Sequence, residues 1–239
     1  MLDNPQTQTI QAIGRVVSPY REKFGIPRQP GLVPAAQGYI QMLPTFSDPA
    51  AFTGIEGFSH VWITFGFHAC AGKSHLRVRP PRLGGNQTVG VFASRSPFRP
   101  NHLGLSVVAF LGIAQGEDGL RVQLGGLDIL HDSPVYDIKP YLPYADSIAG
   151  AQGGFADTPP IAKLQVTFSA QAEAALQGQP ALRALIVQTL QWDPRPAYRQ
   201  TAVDGQPYAM RLQACDVRWQ VEDQTARVQE LCFTPPVKA

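Results

Sequence analysis

Two arginines, Arg95 and Arg99, lie in a stretch that prolines stiffen and glycines open, RLGGNQTVGVFASRSPFRPNHLG (82–104). An ordinary hairpin needs one glycine or asparagine for its turn, whereas this stretch has several glycines and prolines around two planar cations. It lacks both the G-x-G-x-x-G order of a dinucleotide-binding turn and the lysine of a P-loop. We expect its backbone N–H groups and guanidiniums to bind a carboxylate, a phosphate or an adenine face. The alternative is that both arginines pair with carboxylates elsewhere in the chain.

The surroundings of these arginines are basic, although the chain as a whole is nearly neutral. Its 239 residues carry a net charge of only +2, so the protein is not a polycation of the kind that coats nucleic acid. Residues 57–116 nevertheless hold six of the 20 Lys and Arg residues and none of the 18 Asp and Glu residues. This distribution favours an anion-binding region over internal pairing of the arginines.

A second candidate segment, LDILHDSPVYDIKPYLPYAD (127–146), spaces carboxylates between prolines. Asp128, Asp132 and Asp137 alternate there with three prolines, which favours an extended and rigid chain. Two interpretations stay open at this point, because the carboxylates can line a site or can be solvated acids of surface turns.

A third candidate segment, WDPRPAYR (192–199), follows a predicted helix. Its two prolines end that helix and fix Arg195 and Tyr198 in an extended run. A guanidinium and a phenol held on a stiff loop suit phosphate contact and base stacking with single-stranded RNA. The alternative is a plain helix stop, although one proline suffices for that.

Several other functions lack the residues they need. His60, His68 and His75 are eight and seven residues apart and have no Cys or carboxylate at ligand spacing, so no metal site is predicted. No G-x-S-x-G motif is present, so serine hydrolase chemistry is not predicted.

The cellular location is indicated by the cysteines and by the start of the chain. Three widely spaced cysteines argue for a reducing compartment. The first residues lack the regions of a signal peptide, and no apolar stretch approaches the roughly 20 residues of a spanning helix. We therefore expect a cytoplasmic protein without membrane attachment.

Short alternating runs predict a mainly β fold for residues 1–147. In FSHVWITFGFH (58–68) apolar and polar residues alternate with the period of a strand. Six short strands joined by Gly and Pro turns favour a closed or nearly closed β-barrel. A short helical turn is predicted in SDPAAF (47–52), where Asp48 can cap. The other five predicted strands lie at 12–17, 39–43, 88–94, 106–113 and 120–124.

The second half of the chain has a different pattern. Residues 146–160 are rich in Gly, Ala and Pro and have no periodicity, which predicts a linker. Beyond it, one strand precedes two helical pieces that break at Gly178 and Pro180, and residues 208–233 have the alternation of a hairpin. Residues 161–239 are therefore predicted to form a small α+β domain.

Five segments of the chain, taken in order, resemble the TrmO family, which is also called TsaA-like or YaeB-like. The resemblance extends over residues 9–235. It implies a β-barrel N-terminal domain that binds S-adenosylmethionine without a Rossmann fold, in a homodimeric tRNA methyltransferase. The implied substrate is the N6 nitrogen of threonylcarbamoyladenosine beside the anticodon, in tRNAs that read codons beginning with A. The five segments are residues 13–33, 54–68, 79–106, 127–146 and 193–199.

The resemblance also implies roles for individual residues. The DPRPAYR loop is expected to help form the tRNA-binding and catalytic surface. One departure is visible, because His102 and Leu103 stand where the family commonly has Pro-Ile, so we expect a looser loop there and no catalytic role for His102. The implied cofactor contacts are Pro27, Arg28, Gln29, His68, Arg95, Leu105, Asp132, Ser133, Pro134 and Val135.

Methyl transfer from a sulfonium needs alignment and desolvation more than covalent chemistry from the enzyme. The ureido-like nitrogen must lose a proton, for which Asp137 and Tyr198 are the candidate bases, with His68 behind them. Arg195 completes the predicted catalytic set.

The threonyl carboxylate of such a substrate needs a cation, which Arg99 or Arg195 can supply, and Arg82 is a further substrate-binding candidate. The open alternatives are a methyltransferase of another nucleoside or small molecule, a non-catalytic RNA-binding barrel and, more remotely, a metal-dependent hydrolase.

Overall fold

A computed structural model describes residues 8–200 and 205–234. Residues 1–7, 201–204 and 235–239 lie outside the described residues. The outer ends of both predicted domains fall there, as does most of the segment on which the expectation of no signal peptide rests.

Eight strands and one short α-helix form in residues 8–146, and six of the strands make one antiparallel sheet. Its order is β1-β2-β7-β6-β3-β8, and β8 also pairs with β1, so each of the six has two neighbours. The remaining two strands pair with each other as a small separate ribbon. The elements are β1 (Gly14–Val17), β2 (Gly38–Met42), β3 (His60–Gly66), β4 (Arg77–Val78), β5 (Val89–Gly90), β6 (Leu103–Gly116), β7 (Gly119–Gly125), β8 (Pro134–Pro140) and α1 (Pro143–Asp146).

Alternating burial explains why these residues form strands. In β3, Val61, Ile63 and Phe65 are buried, and Trp62 and Thr64 between them are partly exposed. Successive side chains of a strand point to opposite faces, so the apolar set of every strand meets on one side. The sheet thereby surrounds a common apolar core, to which all six strands contribute.

Five of the six predicted strands are confirmed, as β1, β2, β3, β6 and β7. The sixth, at 88–94, is wrong for most of its length: β5 has two residues, because its partner β4 has only two, and a 3-10 turn follows at Val91–Ala93. The segment expected to be extended supplies the missing strand, β8. The predicted turn near residue 48 forms as a 3-10 helix, Pro49–Phe52, whose cap is the Asp48 side chain.

The C-terminal part has a four-stranded sheet in the order β10-β11-β12-β9, with β9 parallel to β12 and the other pairs antiparallel. The two predicted helical pieces and the hairpin are confirmed. Ser169 caps the first helix, and Pro180 begins the second. No helix in the described ranges combines the length and the apolar character needed to cross a membrane. The elements are β9 (Gln165–Phe168), α2 (Ala170–Ala175), α3 (Pro180–Leu190), β10 (Tyr208–Leu212), β11 (Cys215–Glu222) and β12 (Thr225–Phe233).

The loop between β1 and β2 joins the two sheets. Tyr20, which is fully buried, forms a bridge to Leu212 of β10, and the two parts share one buried apolar cluster. Farther along the loop, the indole Nε1 of Trp192 donates to the carbonyl of Leu32 at 2.7 Å. The backbone N–H of Ala35 donates to the side-chain oxygen of Gln188 at 2.8 Å. The C-terminal part is therefore anchored to the same loop that carries the Pro27–Gln29 segment.

Candidate active site

A cavity of about 500 Å³ lies where the β1–β2 loop, strand β3 and residues 94–106 and 128–133 meet. Its volume is typical of a pocket for a small molecule. The structure brings together residues that the sequence analysis selected from four separate segments. Those that line the cavity are Pro27, Arg28, Gln29, His68, Arg95, Arg99, Leu105 and Ser133.

Arg95 and Arg99 are held by neutral groups. Arg95 Nη1 donates to Gln29 Oε1 at 2.6 Å, and Arg99 Nη1 donates to the carbonyl of Ser94 at 3.2 Å. No carboxylate of the described residues forms an ion pair with either guanidinium. The alternative that both arginines serve internal ion pairs therefore does not hold in the described structure, and both charges are available to an anionic ligand.

Aromatic side chains form an apolar wall of the cavity. The rings of Phe65 and Phe67 meet edge to face, with their centroids 5.1 Å apart. Gly104, on the neighbouring strand β6, leaves room for this arrangement, because a Cβ at that position would overlap the ring of Phe65. The side chain of Trp62 is held by a residue that does not line the cavity, because its Nε1 donates to Asp146 Oδ2 at 2.9 Å. The wall therefore has a defined shape for a planar ligand.

Polar groups also line the cavity. The hydroxyl of Ser133 lies 3.3 Å from Nδ1 of His68. Lys23 Nζ donates to the carbonyl of Ala69 at 2.9 Å and lies 3.3 Å from Cys70 Sγ. The β1–β2 loop is thereby tied to the turn that follows β3, so the two segments that contribute predicted cofactor contacts have a fixed spacing.

Asp128 is a carboxylate in the cavity wall that has apolar neighbours. Leu127 and Ile129 on either side are fully buried, and one oxygen of Asp128 is buried without a hydrogen-bond partner among the described residues. Desolvation raises the pKa of this carboxyl to about 6, although Ser106 and Arg95 act to lower it. The turn before it is fixed by Gly126, whose φ is 69° and whose carbonyl accepts from the N–H of Gly31 at 2.9 Å.

Only one residue of the predicted DSPV contact turn reaches the cavity. Ser133 lines it, whereas the exposed carboxylate of Asp132 pairs with Arg15 at 3.1 Å and its backbone has a φ of 64°. Pro134 begins β8, and the side chain of Val135 is fully buried in the core. Asp132, Pro134 and Val135 therefore hold the turn that presents Ser133.

The predicted catalytic residues do not line the cavity. Asp137 is on β8 with its side chain 45% exposed, and its carboxylate pairs with Lys139 at 2.7 Å. Arg195 is 2% exposed and makes two hydrogen bonds to the carboxylate of Asp193, at 2.8 and 2.9 Å. Tyr198 is 75% exposed on the same loop. Arg82, a predicted substrate contact, is exposed and donates to the carbonyl of Thr158.

The DPRPAYR loop nevertheless lies near the cavity. The charge of Asp193 acts on the cavity residue Arg28, where it opposes the lowering of the arginine pKa by burial. Ala197 Cβ lies 4.0 Å from the position that a Cβ on Gly85 would take. The loop is thus adjacent both to the Pro27–Gln29 segment and to the glycine-rich stretch of the sequence analysis.

His102 occupies a turn with left-handed backbone geometry. Its φ is 50°, which a proline cannot adopt. Its N–H donates to the carbonyl of Arg99 at 3.1 Å, and its carbonyl accepts from Phe67 at 2.7 Å. Backbone hydrogen bonds therefore hold this turn without a proline, and a looser loop stays a prediction.

Other cavity residues were given no specific role from the sequence. The aromatic residues of β3 have the alternation of ordinary core residues, so their position at a cavity has no local signal. Asp128 stands out only as one of three spaced carboxylates, and its position between two apolar residues is the signal that distinguishes it. The cavity residues without a prior assignment include Lys23, Trp62, Phe65, Phe67, Ser106 and Asp128.

The described residues contain no group of three or more His, Cys, Asp or Glu side chains that could hold a metal ion.

Two family models together match most of the chain. The model described as tRNA-methyltransferase O N-terminal domain matches residues 15–147, and the TrmO C-terminal domain model matches residues 161–233. The protein therefore belongs to the TrmO family, and the resemblance of its five segments is confirmed.

Individual relatives are similar over nearly the whole chain. The tRNA (adenine(37)-N6)-methyltransferase of Escherichia coli K12 is 44% identical over 218 residues, which cover 89% of this chain and 93% of the relative. A putative S-adenosylmethionine-dependent methyltransferase of Pseudomonas aeruginosa, RcsF, is 48% identical over 219 residues, with coverage of 89% and 92%. The crystal structure of TrmO from Pseudomonas aeruginosa superimposes with a TM-score of 0.76 at 39% identity, with coverage of 95% and 99%.

The pKa of Asp128 predicts a pH-dependent stability. Because the folded pKa is raised above its unfolded value, the native state binds more protons between about pH 4 and pH 6, and the carboxyl costs stability as the pH rises through that window. Asp128→Asn is expected to raise the free energy of unfolding by about 3 kcal/mol at pH 7 and by much less at pH 4. Urea denaturation of both proteins at the two pH values measures this.

The exposed Asp118, in the turn between β6 and β7, provides the control, since Asp118→Asn should change stability little at either pH. An equal effect of Asp128→Asn at pH 4 and pH 7 would show that its carboxyl is not destabilised by burial.

Proposed function

We propose that this protein transfers a methyl group from S-adenosylmethionine to the N6 nitrogen of threonylcarbamoyladenosine beside the anticodon of tRNA. The observation that carries the proposal is a cavity whose two guanidiniums, Arg95 and Arg99, form no ion pair with the described residues, in a chain that belongs to the TrmO family. The E. coli relative is named for methylation of adenine 37 of tRNA at N6. The threonylcarbamoyl group is the more specific part of the proposal and rests on the sequence resemblance.

The cavity fits S-adenosylmethionine in size and in chemistry. Arg95 supplies positive charge for the carboxylate of its methionine part, and Phe65 and Phe67 supply an apolar wall for its adenine. When bound, the cofactor supplies an electrophilic methyl group on a positively charged sulfur. The other contacts are assigned to Pro27, Arg28, Gln29, His68, Leu105 and Ser133, with Asp132, Pro134 and Val135 shaping the Ser133 turn.

The chain's own contribution to the reaction is alignment, exclusion of water and removal of a proton. The aromatic wall excludes water from one side of the cavity. For proton removal the proposal keeps Asp137 and Tyr198 as candidate bases, with His68 inside the cavity behind them. Support for Asp137 comes from its position on β8 opposite Thr64 of β3, the strand that carries two of the cavity aromatics.

The burial of Arg195 gives it a positioning role in this proposal. Its two hydrogen bonds to Asp193 brace the DPRPAYR loop, and the side-chain nitrogen of Gln200 closes the loop by donating to the carbonyls of residues 193 and 195 at 2.9 and 3.1 Å. Tyr198 is then presented on a rigid support for contact with RNA. Arg99 is the cation assigned to the threonyl carboxylate.

The tRNA surface is assigned to residues 57–116, which contain no Asp or Glu, together with the DPRPAYR loop. Several of its cations, including Arg82, are exposed and lie on the segment that faces Ala197. Positive charge without nearby carboxylates suits a phosphate backbone and predicts binding that weakens with salt.

The proposal also includes the organisation of the protein. Residues 1–147 are assigned to a β-barrel S-adenosylmethionine-binding domain, which the pairing of β8 with β1 supports. Residues 161–239 are assigned to a small α+β domain, and residues 146–160 to the linker between them. The homodimer and the cytoplasmic localisation follow from the family resemblance and from the cysteine content.

Nucleoside mass spectrometry tests the function directly. The protein is incubated with S-adenosylmethionine and tRNA that carries threonylcarbamoyladenosine, and the nucleosides are then analysed. We expect a gain of one methyl group on that nucleoside and none on tRNA that lacks the threonylcarbamoyl group. If cofactor binding is measured but neither tRNA is methylated, the substrate assignment is wrong.

Asp137→Asn tests the base assignment. Removing a general base is expected to lower turnover by roughly 10²- to 10⁴-fold, while the affinity for S-adenosylmethionine stays unchanged because Asp137 does not line the cavity. Single-turnover kinetics and calorimetric titration measure the two quantities. Asp118→Asn serves as a charge-matched control. Full turnover in Asp137→Asn would remove this residue from the mechanism.

Arg195→Lys tests the positioning role, because lysine keeps the charge but cannot make the paired hydrogen bonds to Asp193. We expect the free energy of unfolding to fall by roughly 1.5–3 kcal/mol, with a loss of turnover but little change in cofactor affinity. Denaturant unfolding and calorimetry measure these effects. A variant with unchanged stability and abolished tRNA binding would instead indicate that Arg195 contacts RNA directly.

A further inference from the structure

Asp128 has no role in the contacts assigned so far, yet it lines the same cavity as Arg95. It is placed there by backbone contacts on the preceding turn: the N–H of Leu127 donates to the carbonyl of Ala36 at 3.0 Å. Leu127 and Ile129 turn their side chains into the core and are fully buried. The chain thus holds a carboxylate at the boundary between core and cavity, where an aliphatic side chain would be less costly.

Arg95 and Asp128 are close enough for their charges to interact, since Arg95 acts to lower the pKa of the Asp128 carboxyl. The two nevertheless do not form an ion pair within the described structure. Arg95 donates to Gln29 instead, and one oxygen of Asp128 is buried without a hydrogen-bond partner among the described residues. One cavity therefore presents a cation and an anion whose charges interact without forming an ion pair among the described residues.

A ligand with both charges on neighbouring atoms is complementary to such a wall. An α-amino acid group is of this kind, because its carboxylate and its ammonium are attached to the same carbon. No described residue forms an ion pair with Asp128. The ammonium of the ligand would form one, and this contact would offset part of the cost of desolvating the carboxylate. A ribose hydroxyl or an adenine amino group can also donate to a carboxylate, but neither supplies an opposite charge.

We propose that Asp128 binds the α-ammonium group of the methionine part of the cofactor, while Arg95 binds its carboxylate. This inference rests on the proposed function, because it takes S-adenosylmethionine as the ligand of the cavity. It makes Asp128 a specificity residue that distinguishes ligands with an intact amino acid group from other adenosine derivatives.

Calorimetric titration with two product-like ligands tests the assignment. S-adenosylhomocysteine carries the amino acid group, and 5′-methylthioadenosine lacks it but keeps the adenosine and the thioether. Asp128→Asn is expected to weaken S-adenosylhomocysteine binding by roughly 10- to 100-fold and 5′-methylthioadenosine binding by less than about 2-fold. Asp118→Asn should leave both affinities unchanged. An equal loss for both ligands, or no loss for either, overturns the proposal.

A measurement on the wild-type protein avoids dependence on the folding of the variant. The analogue of S-adenosylhomocysteine without its amino group keeps the carboxylate, and we expect it to bind roughly 10- to 100-fold more weakly than S-adenosylhomocysteine itself. Equal affinities overturn the role of Asp128. If the wild-type protein binds none of these adenosine ligands, the cofactor assignment of the proposed function fails and this inference fails with it.

Discussion

The pairing of β8 with two strands at once is the constraint on which the cavity depends. Val135 of β8 lies opposite Gly14 of β1 and opposite Phe65 of β3, so one residue joins both edges of the remaining sheet. The chain before β8 must then pass close to the end of β3. This passage brings Ser133 to His68 and places Asp128 in the wall that the aromatic residues of β3 begin.

The loop between β1 and β2 has a comparable effect on the relation between the two sheets. One side of it supplies cavity residues, and the other side receives Trp192 and Gln188 from the C-terminal part. The DPRPAYR loop follows Trp192 directly. The hydrogen bonds of Trp192 and Gln188 to the β1–β2 loop therefore set the distance between the DPRPAYR loop and the cavity. The proposed cofactor site and the proposed RNA surface are therefore held close to each other.

Strands with strict alternation were predictable from the sequence, because burial on one face needs no knowledge of the partner strand. β8 was not, since prolines begin and end it and its position depends on two distant strands. The alternating pattern of β3 predicted that Phe65 is buried, but not that it borders a cavity, because the cavity also depends on distant segments of the chain. Arg95 and Arg99 were found because the absence of Asp and Glu from residues 57–116 is visible in the sequence. The burial of Arg195 was not found, because the sequence shows its neighbour Asp193 but not the packing around the pair.

The ring of paired strands has a consequence for assembly. Each of its six members already has two neighbours, so within the described chain this sheet offers no open edge to which a strand of another molecule could add. In the ranges that the structure describes, open edges are found only at β9 and β10 of the C-terminal sheet and at the short β4–β5 ribbon, and the end of β10 is already bridged by Tyr20. Self-association through the first sheet must therefore use side chains and loops, whose contacts can change in evolution without disturbing the backbone ladder around the cavity.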